Sequence, residues 1–163
     1  MTDTGSNGSQ YEITIDASPR HVLATLRDVG AYPAWQDDIT AVEVLRSDEE
    51  GQPAEAAFTF NSMGMTMNLT LALAHGDQWM RWSLVHGDFI TRNDAHYTVA
   101  ALDGGRSRLA LRQELALKWR MPQSLVRHMV ERVVGATMEA VKKRAEETAV
   151  PPAGTAVPPA GTA

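Results

Sequence analysis

In the stretch "QWMRWSLVHGDF", His86 alternates with Met80, Trp82 and Leu84, a phase that turns its imidazole inward beside a turn at His86-Gly87-Asp88. There it would act as a general acid or base, or simply as a satisfied core or turn histidine. His96 shares the phase of Asp94, which points to solvent. Asn93 and Gln113 are polar residues on faces that otherwise read as inward. A buried amide must be hydrogen-bonded, so each either links to a strand or water, or orients a ligand carbonyl or hydroxyl. Arg81 and Arg92 would stabilise an enolate if they reached the interior, but their alternation turns them outward. No two histidines stand at metal-ligand spacing and no H-E-x-x-H occurs, so no metal site is expected. No Ser-His-Asp order, phosphate loop or paired-carboxylate motif stands out; Asp37-Asp38 and Glu49-Glu50 read as solvated loop charges.

The other candidates are apolar. Met63, Met65 and Met67 cluster in "NSMGMTM", and methionine fills cores but also adapts to varied apolar ligands. A cavity lined by Phe58, Phe60, Met65, Met67, Trp82 and Met129 would suit a lipid, a quinone or an aromatic polyketide. Enclosing about 400 Å² of apolar ligand surface at ~25 cal/mol/Å² yields about 10 kcal/mol gross. Association entropy removes at least about 4 kcal/mol of that, which leaves micromolar to millimolar affinity. Tyr32 and Trp35 flank Pro33 in "VGAYPAWQDDI", where large rings either plug a core or rim a pocket.

Composition sets the bounds on these readings. The net charge is −5 and the longest basic run is Lys142-Lys143-Arg144, so nucleic acid is not an expected partner. The absence of cysteine excludes disulfides, thiolate metal sites and a cysteine nucleophile. "MTDTGSNGSQ" has neither basic residues nor an apolar run, so it reads as neither signal nor anchor. No apolar stretch approaches the length of a membrane span. A cytoplasmic protein is expected.

The elements that must position these residues follow from periodicity and punctuation. Residues 1–10 read as disordered, and "VPPAGTA" at 150–156 returns at 157–163, so 149–163 reads as a polyproline-like tail. The fold then occupies 11–148. "YEITID" is a strand, followed by a helix with Ser18 as N-cap, Pro19 in its first turn and Gly30 as a stop. Six strands follow with hairpin punctuation, beginning at "ITAVEVLR" and ending at "SRLALRQELALKW". The phase of large residues flips across "NSMG", as a hairpin requires. Pro122 opens a helix to about Thr148. Its apolar residues, from Leu125 through Met129, Val130, Val133 and Val134 to Val141, cover about half the circumference, more than the roughly 100° of a surface helix. The expected class is α+β, a curved antiparallel sheet of seven strands wrapped around that helix, with two short helices after the first strand.

This order, with "IDASPRHVLATLRDVGAYPAW" at 15–35, "EVLRSDEEGQPAEAAF" at 43–58, "MRWSLVHGDFITRNDAHYTV" at 80–99 and "SRLALRQELAL" at 107–117, resembles the SRPBCC superfamily. That helix-grip group includes START domains, the birch-pollen allergen, coenzyme Q-binding proteins and polyketide cyclases. The likeness is greatest to its actinobacterial polyketide cyclase/dehydrase branch. The resemblance implies that Tyr32 and Trp35 both pack the short helices and rim the cavity mouth. It implies fold more firmly than chemistry, because such folds host carriers, cyclases and hydrolases.

Two functions follow. One is binding or transport of a hydrophobic small molecule, without a cofactor, by a monomer or weak homodimer. Its candidate contacts are Tyr32, Trp35, Phe58, Phe60, Met65, Met67, Trp82, His86, Asn93, Tyr97, Gln113, Met129 and Val133. The alternative is a cyclase or dehydratase that folds a bound poly-β-ketone and supplies one proton shuttle near the bend. No convincing charged pair is expected inside the cavity, which favours binding.

Overall fold

The structure, a computed structural model, describes residues 7–62, 64–118 and 120–149. The tail expected at 149–163 lies, beyond Ala149, outside the described residues, as do residues 1–6, Met63 and Trp119. Strands β1 (Asn7–Ile15), β2 (Ile39–Ser47), β3 (Pro53–Ser62), β4 (Met65–Gly76), β5 (Trp79–Gly87), β6 (Ile90–Ala101) and β7 (Ser107–Leu117) form one sheet. Its order is β1-β7-β6-β5-β4-β3-β2, so every neighbouring pair except β1 and β7 is a hairpin. Helix α1 (Pro19–Arg27) and a 3-10 helix (Val29–Ala34) lie between β1 and β2. The long helix α2 (Gln123–Thr148) follows β7. This is the expected α+β helix-grip order.

Local chemistry accounts for the boundaries. Ser18 Oγ accepts a hydrogen bond from the His21 amide at 3.2 Å, and Pro19 needs no donor in the first turn. Asp48 Oδ1 accepts from the amides of Glu50 and Gln52, each at 2.9 Å, and Gly51 supplies the left-handed φ of 83° that the β2–β3 turn requires. β1 begins at Asn7, inside the stretch expected to be disordered, because Asn7 pairs with Leu115 of β7. Strand pairing satisfies the backbone whatever the side chains, so composition alone does not reveal it.

Helix α2 departs from the expectation of a helix gripped on half its circumference. It buries a single stripe, Val126, Val130, Val134, Met138, Val141 and Ala145. Beside that stripe Leu125, Met129 and Val133 are 46%, 41% and 50% exposed. The helix lies chiefly along β1 and against α1, with little contact to β7, so one face suffices to dock it. Its C-terminal half is tied down by polar contacts. Lys142 Nζ donates to the Thr14 carbonyl at 3.0 Å, and Glu146 Oε2 accepts from the Asp16 amide at 2.8 Å and from Lys142 at 2.7 Å. These bonds gather at one end of the helix and leave the end near Leu125 free of them.

Two bulges set the phase of the concave face. Thr70 pairs with His86 but Leu71 pairs with Leu84, so Val85 is an extra residue on β5. Ile90 pairs with Leu117 but Arg92 pairs with Ala116, so Thr91 is extra on β6. Each extra residue reverses the side on which the following residues fall. Ile90 and Asn93, an odd number of positions apart, are consequently both buried.

Candidate functional site

The concave face carries a continuous run of aromatic rings. Trp35 meets Tyr32 edge-on at 5.1 Å between centroids, Tyr32 lies 6.2 Å from Phe58, and Phe58 lies 6.0 Å from Trp82. Trp82 in turn meets Tyr97 edge-on at 5.5 Å, and Phe60 stacks on Phe58 at 6.2 Å. Tyr32, Phe58 and Tyr97 are fully buried, Trp82 nearly so, while Trp35 and Phe60 are half-buried. The two residues of "YPAW" therefore divide the two roles offered for them. Tyr32 plugs the core, its hydroxyl donating to the Leu26 carbonyl, and Trp35 stands at the margin.

Burial pushes the Tyr32 hydroxyl well above the ordinary phenol range, with smaller contributions from Tyr97 and Asp28. Burial raises Tyr97 as well. Neither phenol is poised to exchange a proton near neutral pH.

Among these rings sits a buried polar group of three. Trp82 Nε1 donates to Asn93 Oδ1 at 3.3 Å, and Gln113 Nε2 donates to the same oxygen at 2.9 Å. The indole is a donor only, so it fixes the Asn93 amide with its oxygen toward Trp82, and Gln113 must then present its own nitrogen. What remains is Asn93 Nδ2, a donor, and Gln113 Oε1, an acceptor. Neither has a partner among the described residues, and neither is a fully buried orphan. The amides link strands, and among the described residues they leave one donor and one acceptor without a partner on the concave side.

Around this group the wall becomes less buried. Phe60, Leu84, Leu115 and Leu117 are half-buried and pack against the core, and Met67, paired with Phe60, is half-buried as well. They occupy the end of the sheet from which the chain enters α2. Leu84, Leu115 and Leu117 are not among the candidates from sequence, although the alternation that marks Trp82 and Gln113 as inward marks them too.

Four candidates are exposed. His86 is exposed, because the bulge at Val85 reverses its side and pairs it with Thr70. Met65 is 52% exposed at the tip of the β3–β4 hairpin, opposite Ser62. Met129 and Val133 are exposed because α2 docks through the adjoining stripe. Among the described residues no group of three His, Asp or Glu could hold a metal ion, and no helix is long and apolar enough to cross a membrane.

The architecture is shared with solved structures of low sequence identity. A START superfamily protein from Mycobacterium smegmatis is 18% identical over 86% of this chain and 97% of its own, with a TM-score of 0.82. The ZhuI aromatase/cyclase of a Streptomyces species is 18% identical over 93% of this chain and 99% of its own, with a TM-score of 0.73. A Thermus thermophilus protein, also 18% identical, covers 86% of this chain and 94% of its own at a TM-score of 0.70. No sequence among curated proteins matches the chain. The family model for polyketide cyclase/dehydrase and lipid transport proteins matches residues 15–142, most of the chain and all of the fold from the end of β1 into the second half of α2. The chain belongs to that family.

Proposed function

We propose that the protein binds a hydrophobic small molecule on the concave side of the sheet, near the junction of β7 and α2. The observation that carries this reading is the pair Asn93 Nδ2 and Gln113 Oε1, without partners among the described residues and set in a wall of half-buried apolar side chains. An apolar surface with a few convergent polar groups is the usual make-up of a small-molecule site. The apolar body of the ligand would cover Phe60, Met67, Leu84 and Leu115. Its polar head would offer an acceptor to Asn93 and a donor to Gln113, as a hydroxyl, an enol or an amide does.

The binding reading is favoured over cyclisation by the groups that face inward. His86 is outside, and the buried phenols are held in their protonated forms, so among the described residues no proton shuttle stands beside the amides. Membership of a family that spans cyclases and lipid transport agrees with a lipid, quinone or polyketide-like ligand. A cytoplasmic location, a monomer or weak homodimer and the absence of a nucleic-acid partner belong to the same proposal.

The test is titration with 1-aminoanthracene, a neutral apolar fluorophore with a donor head, alongside native mass spectrometry of the freshly purified protein. Saturable fluorescence enhancement is expected, with affinity reduced about tenfold in Gln113→Leu through loss of one buried acceptor. Failure of the probe to saturate, together with no copurified apolar molecule, would overturn the proposal.

A further inference from the structure

The convex face of the sheet carries a row of basic residues that the hydrophobic site does not use. Arg81 pairs directly with His96, and His96 pairs directly with Arg112, so one basic side chain from each of β5, β6 and β7 lies in register. Neighbouring strands are about 5 Å apart, which places the three within about 10 Å on the same outer surface. Arg81 and Arg112 are like charges two strands apart with the imidazole of His96 between them, and the chain as a whole carries a net charge of −5. Three basic groups held together on an acidic protein need an explanation.

Among the described residues the neighbouring acids form no ion pair with the row. Asp94 and Glu114 are one row further along, and both are held by Arg92, at 2.8 and 2.6 Å. Arg81 rests its guanidinium over the Trp79 ring, 5.3 Å from the centroid, and the His96 ring meets Trp79 edge-on at 5.9 Å. Trp79 thereby restrains two of the three without occupying their N–H donors. Arg112 has no ion pair or hydrogen bond among the described residues.

The row faces into a groove of about 530 Å³. Ala72, Ala74 and Ser83 border it on the β4–β5 side, and these short side chains leave space beside the long basic ones. Asp94 and Glu114, paired in the next row, also line the groove, so an anion would sit toward Arg81, His96 and Arg112.

We propose that this groove binds a small oxyanion, the phosphate or carboxylate group of a soluble molecule, between Arg81, His96 and Arg112. The guanidinium fork presents paired N–H donors that match two oxygens of such a group, and the histidine ring adds a further donor between them. The bound anion offsets the charges of the two arginines. The site lies on the side of the sheet opposite Asn93 and Gln113, so its occupancy is independent of the hydrophobic ligand.

The experiment is titration of the full-length, isotopically labelled protein with inorganic phosphate and, separately, with acetate, at constant ionic strength maintained with chloride. The side-chain Nε–H signals of Arg81 and Arg112 report binding. Saturable shifts confined to these residues and His96 are expected, with phosphate-only or acetate-only saturation identifying which oxyanion the groove prefers. Arg112→Gln should weaken binding about tenfold, since it removes a charge-assisted contact. Arg108→Gln, on the same face but outside the row, should leave it within about twofold. Arg81→Gln reads the same contact from the other end of the row and serves if Arg112→Gln is poorly folded. Shifts no larger than those produced by chloride, or equal weakening by Arg108→Gln and Arg112→Gln, would refute a site and reduce the row to general surface charge.

Discussion

Gln113 Nε2 donates to Asn93 Oδ1 across the β6–β7 pair at 2.9 Å, and the same oxygen accepts from Trp82 Nε1 of β5. One carbonyl oxygen thus joins three strands inside an otherwise apolar wall. Asn93→Leu would leave two buried donors without an acceptor, which is costlier than losing both sides of a bond. The expected loss is about 2 kcal/mol or more in urea unfolding. A variant as stable as the parent would show that the amides are linked through water rather than to each other.

The two valines at the centre of α2 should behave oppositely. Val134 is 1% exposed and Val133 is 50% exposed. Val134→Asp buries an unpaired carboxylate and should cost at least about 4 kcal/mol or prevent folding. Val133→Asp should stay within about 0.5 kcal/mol of the parent. Thermal melts of the two variants check this, and equal melting temperatures would mean that the sheet embraces the helix more widely.

Alkaline pH should expose the buried phenols. The folded state holds Tyr32 and Tyr97 protonated above the range in which the unfolded chain releases those protons. Below that range both states keep the protons and the full stability is present. Above it the unfolded state binds fewer protons than the folded one, so stability falls as pH rises. Urea midpoints measured from pH 8 upward should decline most steeply above about pH 10. The double variant Tyr32→Phe, Tyr97→Phe should start lower, through loss of the bond to the Leu26 carbonyl, but decline less. Parallel curves for parent and double variant would contradict this account.

Truncations should separate wall from core. Leu111 is 1% exposed, whereas Trp35 and Met67 are half-buried at the margin. Leu111→Ala should cost about 2–5 kcal/mol with little change in 1-aminoanthracene affinity. Trp35→Ala and Met67→Ala have fewer contacts to lose and should cost less, while weakening the probe several-fold. If Trp35→Ala destabilises as much as Leu111→Ala and leaves the probe unaffected, Trp35 belongs to the core alone.

The sequence by itself determined the elements and their order. Ser18, Pro19, Asp48 and Gly51 act within a few residues of themselves, so the turns and caps they specify are written locally. The alternation of Leu109, Leu111 and Gln113 is local too, and it places Gln113 inside without reference to any partner. Only the tertiary structure decided which side His86 takes, because the extra residue at Val85 exists only relative to β4. The same holds for Asn7, whose strand is defined by its partner Leu115 and not by its own composition. Helix periodicity gave Val133 and Val134 nearly equal standing as apolar positions. Which of them is buried depends on the line along which α2 rests on β1 and α1, a contact between distant segments that no window of sequence contains. The amide pair shows both levels: two inward polar residues were legible one at a time, and their shared oxygen, with the donor and acceptor it leaves free, required the strands to be brought side by side.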